Sequence, residues 1–370
     1  MISHDERMLD LNANKPGVYL FHPYDTTLPL LITMARGWPN DVFLFGFNDE
    51  EALEWRALRH PRKVEIFPTR GDKNSSVGRY NPLAVLDAES SVPVRNARIL
   101  AKLIAGDLVE AQSARHGSMQ ASQRVLDLFA ACLLWVVAVP TSLLRQVADA
   151  EPRGNIIMFP SAQRTLGTVL RLVESPLDKL IDLLGRQVGQ LSSFVALVAH
   201  QVEAMRSKAY QEAAVRQGLN NIGNRLRFAV NPIIGPLLAG PLVAPAGDLI
   251  LVAGKGELEE EAAMVILLGY LLDRSVRDSP QGNPLIIIRE LPRQRPRPEM
   301  FNVLTCLRQK ATVYIGASSL VELESSWGEH VAQEVSMDFY GSWLTAVHAA
   351  SVDLAPSRLR ETAVPDGILY

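Results

Sequence analysis

Residues 17–33 read GVYLFHPYDTTLPLLIT, in which a short apolar run precedes a polar turn and a second apolar run follows it. This order predicts a strand, a loop and a helix, the arrangement in which many α/β proteins bind phosphate at a helix N-terminus. Phosphate loops use glycine amides and a lysine, and this turn contains neither. The turn is the first candidate site, and its residues are His22, Pro23, Tyr24, Asp25, Thr26 and Thr27.

A second candidate site follows the buried apolar run at residues 285–288, where Arg289 and Glu290 come directly after the predicted strand. The segment continues as RELPRQRPR, whose further arginines are Arg293, Arg295 and Arg297. We expect either a solvated loop or a contact surface for an acidic partner or a DNA backbone. The segment has no interleaved aromatic residues, so it offers no stacking platform for single strands.

Six short apolar runs predict the strands that would position these residues, at 17–21, 41–47, 63–67, 249–253, 285–288 and 312–316. Helix-length segments separate the first three runs, which is typical of βαβ units and a parallel sheet. Between residues 93 and 227, apolar residues recur at three- and four-residue spacing, which indicates helices. The sequence therefore predicts an α/β fold with a mostly parallel sheet and an inserted all-α domain.

Composition and residue spacing argue against several classes of protein. The chain has 370 residues, 48% of them hydrophobic, and a net charge of -3, which gives no bulk attraction to nucleic acid or anionic lipid. The apolar segment 125–140 contains Asp127 and is shorter than the roughly 20 residues of a membrane span, so it predicts a buried helix. Cys132 and Cys306 have no CxxC partner, and no histidine joins Asp or Glu at ligand spacing, so we expect no metal site.

Three motifs surround the helical segment in a distinctive order. RYNPLAVLD at residues 79–87 precedes it, PLIIIRELP at 284–292 follows it, and ATVYIGASSLVELESSWGEH at 311–330 comes last. In these motifs the chain resembles the coupling proteins of type IV secretion and conjugation, the TraG/TraD-like ATPases, over residues 17–352. The resemblance implies a RecA-like P-loop NTPase fold, divided as 1–91, 92–227 (all-α), 228–353 and a tail at 354–370.

The departures from that family fall at residues that would contact nucleotide. Leu28 stands where the phosphate-loop lysine belongs, and Pro29 stands where the Mg²⁺-binding hydroxyl belongs. Asp25 adds negative charge beside the expected phosphates. Arg289 replaces the aspartate that would hold the Mg²⁺ water shell, whereas Glu290 remains, and we expect the Arg289 guanidinium to pair with Asp25 or Glu290.

These departures predict a pseudo-ATPase, a degenerate coupling-protein homologue that hydrolyses no nucleotide and uses no cofactor. It would act through protein contacts as a component or regulator of the DNA and protein transfer apparatus, beside an active ATPase paralogue. Two alternatives stay open: an active DNA-translocating ATPase with an unconventional site, and a cargo- or DNA-binding adaptor that uses the all-α domain. The polar, acidic start is unlike a signal peptide, so we expect a cytoplasmic location without a membrane span, with attachment at the inner membrane only through partners.

Overall fold

The computed structural model describes residues 16–21, 27–67, 80–86, 93–116, 119–139, 144, 164–185, 192–205, 209–240, 242, 247–252, 256–277, 282–289, 299–317 and 321. Within them, six strands form one sheet in the order β1-β6-β5-β2-β4-β3. The strands are β1 (Gly17–Phe21), β2 (Val42–Phe47), β3 (Val64–Phe67), β4 (Asp248–Val252), β5 (Leu285–Ile288) and β6 (Thr312–Gly316). Each predicted strand is found within one residue of its expected ends, so the predicted α/β class is confirmed.

Four of the strand pairings among the described residues are parallel. β1 pairs with β6, β6 with β5, β5 with β2, and β2 with β4. Every residue of β2, β4, β5 and β6 is buried, because both faces of a parallel sheet are normally covered. This burial explains why these strands read as continuous apolar runs rather than as alternating ones.

Ten helices are found among the described residues. They are α1 (Thr27–Arg36), α2 (Asp49–Leu58), α3 (Pro93–His116), α4 (Met119–Ala138), α5 (Leu166–Glu174), α6 (Leu177–Gly185), α7 (Ser192–Met205), α8 (Ala209–Arg225), α9 (Glu257–Val276) and α10 (Glu299–Leu307). None of these helices among the described residues combines the length and hydropathy that crossing a membrane requires.

The chain divides into two compact units. The sheet unit comprises residues 1–64, 246–252 and 274–370, and the helical unit comprises residues 65–245 and 253–273. Within the helical unit, Pro82 of the short 3-10 helix Pro82–Leu86 packs tightly against Gly269 of α9.

The core of the helical unit includes the contact between α3 and α4. As predicted for the apolar segment, the second half of α4 is buried, and its Trp135 is among the largest fully buried side chains. The Trp135 indole donates to the carbonyl of Leu183 on α6 at 2.8 Å, which satisfies its one polar atom. The segment that approached membrane-like hydropathy is therefore a core helix.

Candidate functional site

The carboxyl ends of β1, β6 and β5 lie level with one another. Phe21 pairs with Gly316, and Ile288 pairs with Ile315, so β1 and β5 end at the same edge of the sheet. Only β6 lies between β1 and β5, and adjacent strands are about 4.8 Å apart, which separates β1 from β5 by about 10 Å. The fold therefore brings the ends of the two strands that precede the predicted candidate sites to one edge of the sheet.

The structure places part of the predicted site. Thr27 is the first residue of α1, and Arg289 directly follows β5. The other predicted residues lie outside the described residues, and their roles stay predictions: His22, Pro23, Tyr24, Asp25, Thr26, Glu290, Arg293, Arg295 and Arg297.

Arg289 has a carboxylate partner that differs from the two predicted ones, Asp25 and Glu290. Its Nη1 donates to both carboxylate oxygens of Glu51 at 2.8 Å. Its guanidinium carbon lies 5.7 Å from the centre of the Phe47 ring, and its main-chain amide donates to Phe45 at 3.0 Å. The side chain is only 25% exposed, so this ion pair is partly shielded from water.

Glu51 is held from a second direction by the start of α2. The Asn48 side chain accepts from the Glu51 amide at 2.9 Å, and the Glu51 carboxylate accepts from the Asn48 amide at 2.9 Å. This reciprocal pair is a capping box, which satisfies two otherwise unpaired amides of the first turn. The Glu51 carboxylate therefore serves the helix N-terminus and Arg289 at the same time.

The direction of Arg289 follows from the strand order. Glu51 stands in the first turn after β2, and β2 is the neighbour of β5 on the side opposite β6. β1 lies beyond β6. The guanidinium therefore contacts Glu51 on the β2 side of β5. The predicted partner Asp25 belongs to the loop that follows β1, on the other side of β5.

At this edge of the sheet the charges of Arg289 and Glu51 neutralise each other. A guanidinium is always protonated, and it offers donors but no lone pair to a metal ion. Among the described residues, no group of three or more His, Cys, Asp and Glu side chains is arranged to hold a metal ion. The described residues thus provide a fixed cation with its counter-ion.

A sequence signal for Glu51 does exist. Asn48 followed three residues later by a glutamate, just after the apolar run 42–47, is the pattern of a capping box. The pattern predicts the helix start but not the second partner of the carboxylate. That partner is 238 residues away in the chain.

Asn81, the asparagine of the segment RYNPLAVLD, has a structural role in the helical unit. Asn81 is 2% exposed, and its amide nitrogen donates to the carbonyls of Arg164 at 2.7 Å and Gly240 at 3.2 Å. Its side-chain oxygen accepts from the Leu83 amide at 3.0 Å. Asn81 therefore ties three distant segments of this unit together, and this explains why an amide side chain stands there.

No protein-family model matches the chain, and no curated protein matches it. Among solved structures, the chain is similar to the bacterial conjugative coupling protein TrwBdeltaN70 in its unbound monoclinic form. That match has a TM-score of 0.50 at 10% sequence identity and covers 89% of this chain and 68% of that chain. The plasmid coupling protein TrwB in complex with ADP and Mg²⁺ matches at 11% identity with a TM-score of 0.46, over 89% of this chain and 69% of that one. The first match shows a coupling-protein fold. At this sequence identity, the similarity concerns the fold alone.

Proposed function

We propose that this chain is a coupling-protein homologue that hydrolyses no nucleotide and serves a conjugation or type IV secretion apparatus through protein contacts. The similarity to the fold of a conjugative coupling protein supports the proposed role in such an apparatus. The observation that carries the pseudo-ATPase proposal is the contact between Arg289 and Glu51, in which Arg289 Nη1 lies 2.8 Å from both carboxylate oxygens.

The physical argument concerns the charge at the end of β5. A coupling ATPase would need a carboxylate here to hold the water shell of Mg²⁺, and a guanidinium repels that ion instead. Glu51 supplies a nearby carboxylate, but it is already shared between Arg289 and the Asn48 amide. This shared carboxylate supports the proposal that the end of β5 binds no Mg²⁺-nucleotide.

A thermal melt tests the nucleotide half of the proposal. A ligand that binds only the folded state at a hundred times its Kd adds about 2.7 kcal/mol of stability. In a domain of 150–250 residues, each kcal/mol raises Tm by roughly 2–4 °C. We expect millimolar Mg-ATP, Mg-ADP or Mg-GTP to leave Tm where Mg²⁺ alone leaves it.

A clear rise in Tm with Mg-ATP that is lost in Glu290→Gln would instead favour the DNA-translocating ATPase. The protein-contact half is tested by affinity purification of the chain from its native cells. We expect components of a transfer apparatus, including a competent ATPase, in the purified complex. Recovery of the chain by itself from cells that contain such an apparatus would contradict this half of the proposal.

A further inference from the structure

We draw no further inference here: the strongest candidate, the apolar groove between α1 and α2, shares Leu28 with the expected nucleotide site, and nothing among the described residues shows what covers it.

Discussion

Arg59 and Asp248 form a buried ion pair at the amino end of the sheet. Arg59 Nε lies 2.6 Å from Asp248 Oδ2, and Nη2 lies 3.1 Å from Oδ1. Arg59 also donates to the Trp38 carbonyl at 2.8 Å, and Asp248 accepts from the Val42 amide at 3.0 Å. The pair therefore joins the end of α2 to the starts of β2 and β4.

Asp248→Ala should reduce the free energy of unfolding by about 3–5 kcal/mol, because it leaves a buried guanidinium without its counter-ion. Equilibrium denaturation in urea measures the change. Glu54→Ala is the matched control, since it breaks the exposed pair with Arg36 and should cost no more than about 1 kcal/mol. Equal losses in the two variants would show that burial does not decide the strength of these pairs.

The Arg289–Glu51 pair is intermediate in exposure, with side chains 25% and 35% exposed. We expect a double-mutant cycle between Arg289→Ala and Glu51→Ala to give a coupling energy of about 1–2 kcal/mol, between the exposed and buried limits. Glu51→Gln separates the two roles of the residue, because glutamine preserves the capping box but carries no charge. Its stability should lie between those of wild type and Glu51→Ala. Additive losses in the cycle would mean that the pair contributes nothing.

Asp41 should make the sheet unit less stable as the pH rises from acid toward neutral. Burial raises the pKa of Asp41 above 3.8, the attraction of Arg274 and Arg62 and the Gly247 amide lower it, and the charge of Asp248 raises it further. The folded state thus retains the proton at pH values where the unfolded chain has lost it, so this group reduces stability from about pH 4 up to its raised pKa.

Asp41→Asn carries no titrating proton and removes that loss. The free energy of unfolding of the variant minus that of wild type should therefore increase from pH 4 to pH 7. Urea denaturation at both pH values measures this difference. A difference between the two proteins that is the same at pH 4 and pH 7 would contradict the raised pKa.

Two helical glycines in the helical unit should respond in opposite ways to alanine. A Cβ at Gly269 of α9 would lie 3.2 Å from Pro82 Cβ and 3.3 Å from Pro82 Cα, whereas a Cβ at Gly106 of α3 would meet none of the described residues within 4 Å. Alanine is favoured over glycine in a helix by about 0.8–1 kcal/mol, so Gly106→Ala should raise Tm. Gly269→Ala should lower it, because overpacking typically costs about 1–3 kcal/mol. Calorimetry that showed a gain in both variants would contradict the tight contact with Pro82.

Much of the fold could be predicted because its signals are local. β2, β4, β5 and β6 are buried along their whole lengths, so each reads as a short apolar run whatever its neighbours are. α4 was predicted as a buried helix for the same reason. The capping box at Asn48 and Glu51 is equally local, since its two partners are three residues apart.

Three other features were decided only by tertiary structure. The chain contains no local signal that β6 lies between β1 and β5, or that β2 lies on the other side of β5. That order gives Arg289 its contact with Glu51 across 238 residues, and it brings α1 and α2 together over Leu44 and Phe47. Apolar periodicity records which face of an element is buried, whereas the partner it is buried against depends on how distant strands are ordered.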